Sequence, residues 1–206
     1  MIKAVIFDMG GVIIDLDLDK CIRSFKEKAG CLDIENYLDA CHQKGFIGQM
    51  EEGMIDEDEF YVRCGRHCRP GTSNETIRGC FADLLVGVNE EVAQVIRDLS
   101  GRYDLYILSN NNPISARVFG SMKDSTGRLM TDYFKKIFYS FEMKILKPAP
   151  EFFQRVAAEI GCNMDELVFI DDSAVNAAAA EALGIHGIHY TKGALAAKLK
   201  EVLNIK

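Results

Sequence analysis

Short runs of consecutive apolar, branched residues alternate along the chain with longer stretches whose apolar positions recur at helical spacing. Such a short run is typical of a strand buried on both faces, and the alternation predicts a parallel sheet between two layers of helices. The predicted strands lie at residues 2–7, 105–108, 137–139, 167–170 and 185–190, and the predicted helices at 90–99, 114–122, 151–160, 174–183 and 194–203. We therefore expect an α/β fold.

One long segment interrupts this alternation. Between residues 18 and 88 the pattern predicts helices at 21–29, 34–44, 57–68 and 75–85, and no convincing strand. The turns between them are rich in Gly, Pro and Asp, which favour chain reversals. We expect residues 18–88 to form a small helical domain, inserted into a core domain of residues 1–17 and 89–206.

Composition and charge narrow the class of protein. The chain has 206 residues, of which 48% are hydrophobic and 27% charged, as in an ordinary globular protein. Its net charge of −7 disfavours a nucleic acid or an anionic membrane as partner. No apolar run approaches the roughly 18 residues that span a bilayer. The seven cysteines, an odd number without framework spacing, predict reduced thiols and a cytoplasmic location.

Polar side chains directly follow three of the predicted strands. Asp8 follows the first strand. Ser109 and Asn110 follow the second, and Asp171 and Asp172 follow the fourth. Because the carboxyl ends of parallel strands open into one crevice, we expect these side chains to form one site.

The chemistry of this site suits phosphoryl transfer. Lys147, which precedes Pro148 and the helix predicted at 151–160, would add an ammonium group. Carboxylates hold Mg²⁺, while hydroxyl, amide and ammonium groups neutralise phosphate oxygens. A carboxylate such as Asp8 can also attack phosphorus and form an aspartyl phosphate. A single aspartate after a strand is more often a helix cap or a turn residue, so the hypothesis depends on the whole set.

Four motifs in this order resemble those of the haloacid dehalogenase (HAD) superfamily. They are residues 5–12 (VIFDMGGV), 107–110 (ILSN), 147–148 (KP) and 168–173 (VFIDDS) with Asn176. The resemblance implies a three-layer Rossmann-like parallel sheet with a small helical cap. Within the superfamily, residues 51–60 (EEGMIDEDEF) resemble the cap of the branch that includes alpha-D-glucose-1-phosphate phosphatases.

The resemblance also implies roles for individual residues. The nucleophile would be Asp8. The protein ligands of Mg²⁺ would be Asp8, the Gly10 carbonyl and Asp172, with Asp171 ligating through water or supporting the ligands. The groups that bind the transferring phosphate would be Ser109, the backbone amide of Asn110 and Lys147.

Two positions depart from the family pattern. Where the commonest first motif has an aspartate that acts as general acid and base, this chain has Gly10. An ester with a poor leaving group should then react slowly unless water or a cap carboxylate such as Glu51 supplies the proton. Sugar 1-phosphates, which have the better leaving group, should therefore react faster than 6-phosphates. Where the family often has glycine before the lysine, this chain has Lys144, which could compete for the role of Lys147.

The leading hypothesis is a Mg²⁺-dependent phosphatase that acts on a small phosphorylated metabolite, such as a hexose 1-phosphate. The cap would close over the substrate and contact it, with Gln49, Glu51 and Glu52 as candidates. One alternative is a 2-haloacid dehalogenase, which the acidic pair at 171–172 disfavours. Another is a non-catalytic sensor of phosphate or of a metabolite. The pattern makes no prediction of oligomeric state.

Overall fold

The computed structural model describes residues 1–39 and 43–203. In chain order, its strands and α-helices are β1 (Ala4–Phe7), β2 (Ile14–Leu16), α1 (Leu18–Ser24), α2 (Gly45–Glu51), α3 (Glu57–Gly65), α4 (Asn74–Ala82), β3 (Leu85–Val88), α5 (Glu90–Leu99), β4 (Asp104–Ser109), α6 (Pro113–Phe119), β5 (Lys136–Tyr139), α7 (Ser140–Met143), α8 (Pro150–Ile160), β6 (Leu167–Asp171), α9 (Ala174–Ala182), β7 (His186–His189) and α10 (Leu195–Val202). A π-helical turn, Phe25–Ala29, directly follows α1.

Five of the strands form one parallel sheet in the order β5-β4-β1-β6-β7. Strand β1 lies at its centre, where Phe7 pairs with Ile107 on one side and Ile170 on the other. The chain therefore leaves β1, β4 and β6 at neighbouring points on one edge. The predicted α/β fold is confirmed, and so are the five predicted strands of its sheet.

Apolar side chains of the sheet point alternately to two layers of helices, as a period of two requires. Val5 and Phe7 belong to a buried cluster with residues of α5 and α10. Ala4 and Ile6 belong to a second cluster with residues of α8 and α9. These two clusters, one on each face, make the three layers.

Helices α1 to α4 have a buried apolar cluster of their own. It includes Phe25, Phe60, Phe81 and Cys64, together with Ile114 from α6. This separate cluster supports our proposal that residues 18–88 form a cap and that residues 1–17 and 89–206 form the core.

The expectation that the cap contains no strand is wrong at its carboxyl end. Strand β3 pairs antiparallel with β2, with a shift of register between Asp15 and Leu16. Both strands are short, and β3 contains Gly87 and only one buried residue, Leu85. Neither strand therefore has the continuous apolar run by which the other strands were recognised.

The helix predicted over residues 34–44 is also wrong. The described part of this segment has one 3-10 turn, Ile34–Asn36, and residues 40–42 lie outside the description. Helix α2 instead begins at Gly45. Because Gly45 and Gly48 have low helix propensity, the sequence pattern did not predict a helix there. Gly48 is needed there because a Cβ atom would lie 2.5 Å from the Gln43 carbonyl oxygen.

Two further expectations concern the setting of the protein. Within the described ranges, no helix has both the length and the apolar content that crossing a bilayer requires. The six cysteines described there are free thiols, and Cys41 lies outside the described residues. The cytoplasmic location stays a prediction.

The cap touches the core closely near α7. Gly53 has a φ of 68°, and a Cβ atom on it would lie 2.2 Å from the carbonyl oxygen of Phe141. The guanidinium of Arg117 in α6 also donates to both carboxylate oxygens of Glu57 in α3, at 2.7 and 2.5 Å. The backbone contact at Gly53 and the ion pair between Arg117 and Glu57 both hold the cap to the core.

Gly53→Ala should destabilise the protein more than Gly71→Ala. Gly71 also has a positive φ, of 87°, but a Cβ atom there meets nothing within 4 Å. Gly71→Ala is the control, and backbone strain alone should lower its free energy of unfolding by about 1–2 kcal/mol. Gly53→Ala should cost about 1–3 kcal/mol more because of the clash with Phe141. Urea unfolding of both variants measures the difference, and equal losses would contradict the close contact.

Candidate active site

The ammonium group of Lys147 lies between two buried carboxylates. Its Nζ is 2.9 Å from Asp8 Oδ1 and 2.8 Å from Asp171 Oδ2. It also donates to the carbonyl oxygen of Leu108, at 2.9 Å. Both aspartates stand where predicted, at the ends of β1 and β6, so the sheet itself positions the pair.

Lys147 reaches this place because Asn110 holds its backbone. The Asn110 side chain accepts a hydrogen bond from the Lys147 N–H at 2.8 Å and donates one to the Lys147 carbonyl at 2.9 Å. Asn110 lies just after β4, whereas Lys147 lies in the loop before α8. The asparagine side chain therefore ties two loops together, and the predicted contact of the Asn110 backbone amide with phosphate stays a prediction.

Asp171 is surrounded by donors. The Ser173 N–H donates to Asp171 Oδ1 at 2.8 Å, and Asn176 Nδ2 lies 3.1 and 3.2 Å from its two carboxylate oxygens. Asp172 is exposed, and its carboxylate lies against Gly11, where a Cβ atom would come within 2.0 Å of Oδ2. Asp172 is thus the more available of the two for a ligand.

The charges of this cluster perturb one another. Burial raises the pKa of Asp8, Asp171 adds to that increase, and Lys147 opposes it. Burial alone would lower the pKa of Lys147, but the Asp8 and Asp171 carboxylates outweigh it and raise that pKa. Although Asp172 is an exposed residue, its carboxylate is partly shielded from water, and this shielding and the Asp171 charge raise its pKa. Three carboxylates around one ammonium group leave a surplus of negative charge that a cation would relieve.

The residues present fit a hard divalent cation. Ligand oxygens of Asp8, Asp171 and Asp172 lie within 4.8 Å of one another, the one such group of potential ligands found in residues 1–39 and 43–203. Nearby, the Asn176 Oδ1 atom is buried and has no hydrogen-bond partner. An acceptor of this kind suits a water molecule bound to a metal ion.

The cavity beside the carboxylates is lined by further polar groups. The predicted Ser109, Asn110 and Gly10 line it, and so do residues that the sequence analysis missed: Asn111, Asn112, Ser115, Gln43 and Leu16. Asn112 caps α6 by accepting from the backbone N–H groups of Ile114 and Ser115, at 3.1 and 3.0 Å. Asn112 directly precedes Pro113, and proline suits the first turn of a helix. This pair of residues was the signal that could have identified Asn112 as the residue that caps α6.

Lys144 does not compete with Lys147. It is exposed, ends α7 and adopts a left-handed conformation with a φ of 56°. Glycine adopts this conformation without the strain that a side chain brings, so the geometry is compatible with the glycine that the family pattern led us to expect here. The alignment of the lysine motif on Lys147 therefore agrees with the geometry.

Of the three candidate cap contacts, Glu51 alone lines this cavity in the described chain. Gln49 Oε1 instead accepts from Arg63, at 2.6 Å. Glu52 lines a separate depression next to Gln49. Neighbouring positions at the end of a helix point in different directions, and the pattern of apolar residues did not resolve which of them faces the core.

Lys147→Ala should destabilise the protein by about 3–5 kcal/mol, because it leaves two buried carboxylates without their counter-ion. Lys147→Met, which keeps an apolar stem, should also be destabilising. Lys144→Ala is the matched control and should have little effect, since its side chain is exposed. Urea unfolding at neutral pH without divalent cations measures all three. A larger loss in the control would show that the two lysines have been assigned the wrong way round.

Comparison with known proteins finds phosphatases and a magnesium-bound structure among the chains that resemble this one. A D-ribitol-5-phosphate phosphatase of Bacteroides thetaiotaomicron is 32% identical over 195 residues, which cover 94% of each chain. A crystal structure of a HAD family enzyme from the same organism, in complex with magnesium and inorganic phosphate, has a TM-score of 0.84 at 32% identity. The alignment covers 94% of this chain and 96% of that one. These relatives agree with the predicted phosphatase and Mg²⁺, but they do not confirm the glucose-1-phosphate branch.

A further structure and a family model extend the likeness over nearly the whole chain. A predicted HAD-like family hydrolase from Porphyromonas gingivalis is 30% identical, covers 100% of both chains and has a TM-score of 0.87. The family model described as a haloacid dehalogenase-like hydrolase matches residues 2–184. Together with the arrangement of Asp8, Lys147 and Asp171, these matches lead to one conclusion: the chain belongs to the haloacid dehalogenase-like hydrolase family.

Proposed function

We propose that this protein is a Mg²⁺-dependent phosphatase that hydrolyses a small phosphate monoester through an aspartyl phosphate on Asp8. The observation that carries the proposal is the position of Lys147, 2.9 Å from Asp8 and 2.8 Å from Asp171, beside the carboxylate of the exposed Asp172. The ammonium group holds Asp8 in place and provides positive charge where phosphate oxygens would lie.

In this proposal each polar group has a separate task. The Asp8 carboxylate attacks phosphorus, and Ser109, the Asn110 amide and Lys147 hold the phosphate oxygens. The residues that would hold Mg²⁺ are Asp8, the Gly10 carbonyl and Asp172, with Asp171 supporting them. The ion would neutralise charge on the phosphate.

The substrate we propose is a sugar phosphate or a sugar-alcohol phosphate. The amide and hydroxyl groups of Asn111, Asn112, Ser115 and Gln43 line the cavity next to the carboxylates and suit a ligand with several hydroxyl groups. A hexose 1-phosphate has the better leaving group, whereas the relative from Bacteroides thetaiotaomicron is named for a pentitol 5-phosphate. Both compounds belong in the same test.

The two alternatives make different demands on the site. A haloacid dehalogenase has no use for the cation that the Asp8, Asp171 and Asp172 cluster favours. A non-catalytic sensor would bind phosphate but release none from an ester. The experiments below distinguish all three functions.

Phosphate release should require Mg²⁺. We expect hydrolysis of D-ribitol 5-phosphate or of a hexose 1-phosphate with Mg²⁺ and none after chelation, because the carboxylate cluster needs a counter-ion. Mg²⁺ should also raise the melting temperature by linkage. A 2-haloacid is the control substrate. Release of halide without phosphatase activity would favour the dehalogenase, and a thermal shift without any turnover would favour the sensor.

Asp8→Asn should abolish turnover and leave the fold intact, because the amide keeps the shape but loses the attacking charge. Asp15→Asn, an exposed change on β2, is the matched control and should retain activity. Steady-state phosphate release and thermal unfolding are measured for both variants. More than about a tenth of wild-type activity in Asp8→Asn would exclude the covalent mechanism.

A further inference from the structure

Gly10 leaves the core without the usual source of a proton for the leaving group. A Cβ atom on Gly10 would lie 3.1 Å from Leu16 Cδ1, and Leu16 lines the same cavity. The space beside Gly10 is thus taken by an apolar side chain, which cannot carry a proton. An alkoxide leaving group nevertheless requires one, and general acid catalysis is worth about 100- to 10,000-fold.

The cap brings one carboxyl group to this cavity. Glu51 is the last residue of α2 and lines the cavity together with Asp8, Ser109 and Lys147. Its backbone carbonyl accepts a hydrogen bond from the buried Ser140 Oγ at 2.6 Å. Its position is therefore fixed from the core side as well as by its own helix.

The same serine connects Glu51 to the loop that holds phosphate. Ser140 Oγ accepts from the backbone N–H of Asn111 at 2.9 Å, one residue after Asn110. On the other side of Glu51, Gly53 packs against the Phe141 carbonyl. The cap therefore touches the core both at Glu51 and two residues beyond it.

The side chain of Glu51 faces Asn112. The two side chains line the same cavity, and the Asn112 amide lowers the pKa of the Glu51 carboxyl group. Because Asn112 Oδ1 accepts from the N–H groups of Ile114 and Ser115, its Nδ2 group is the end of the amide that can face a carboxyl group. A protonated carboxyl group can face such a donor with its C=O and keep its O–H for another partner.

The other titratable groups of the cavity are already engaged. Asp8 is the nucleophile in the proposed function, Lys147 is paired with two carboxylates, and Asp172 is available to the metal ion. Among the cavity's titratable groups in the described chain, this leaves Glu51.

We infer that Glu51 is the general acid and base of the reaction, supplied by the cap in place of the residue absent at Gly10. The inference rests on the proposed phosphatase function. When Asp8 attacks phosphorus, the P–O bond of the ester breaks, its electron pair stays on the ester oxygen, and the Glu51 proton passes to that oxygen. The resulting Glu51 carboxylate then takes a proton from water, whose oxygen attacks phosphorus and releases Asp8 and inorganic phosphate.

The electrostatic setting of Glu51 agrees with this role. Burial raises the pKa of Glu51, the nearby Asn112 amide lowers it and the Asp8 charge raises it, with the net result a pKa of about 8. The side chain can therefore hold its proton near neutral pH until an alkoxide appears.

The test compares Glu51→Gln with wild type on two esters that differ in leaving group. On D-ribitol 5-phosphate, whose alkoxide needs a proton, kcat/KM should fall by about 100- to 10,000-fold. On p-nitrophenyl phosphate, whose phenolate leaves unprotonated, kcat/KM should fall less than tenfold, because this ratio reports steps up to phosphoryl transfer. Acid quenching during p-nitrophenyl phosphate turnover should trap accumulated phosphoenzyme, since water then lacks its base.

Glu52→Gln is the matched control, because it makes the same change one residue further on and outside the cavity. It should stay within about twofold of wild type on both esters, and thermal unfolding checks that Glu51→Gln is folded. Equal losses of kcat/KM on the two esters would overturn the role of Glu51 and leave the phosphatase function standing. A wild-type protein that hydrolyses neither ester, nor any other monoester tested, would overturn the proposed function and this inference with it.

Discussion

The site depends on one buried ammonium group held between two carboxylates. Lys147 comes from a loop, whereas Asp8 and Asp171 come from adjacent strands of the sheet. Removing the ammonium group would leave two buried carboxylates without a counter-ion, so Lys147 fixes both the positions and the charges of the pair. Asn110 completes the arrangement by holding the lysine backbone with both ends of its amide.

The core of the fold could be predicted from the sequence because its three central strands, β1, β4 and β6, are buried on both faces. Their apolar runs are continuous, and the polar residue after each run marks the edge where the site lies. Asp8, Ser109 and Asp171 could be located in this way. Their roles came from the resemblance to a family, and those roles remain predictions.

The cap was harder to predict, and for physical reasons. Its helices are short, α2 begins at a glycine, and the ribbon of β2 and β3 is half exposed. Which cap side chain faces the cavity depends on how the cap packs on the core. Gln49, Glu51 and Glu52 look equivalent in the sequence, and tertiary contacts such as the one from Ser140 to Glu51 distinguish them.

The seating of Gly53 against the Phe141 carbonyl has a consequence for selectivity. Gly53 lies so close to Phe141 that this contact exists only when the cap is fully seated on the core, and Glu51, two residues earlier, is in place under the same condition. With the proton donor on the cap, an oversized ester could occupy the phosphate end of the cavity while holding the donor out of reach. Such a compound would bind without reacting. Selectivity for the size of the ester would then appear in the rate of reaction rather than in the strength of binding.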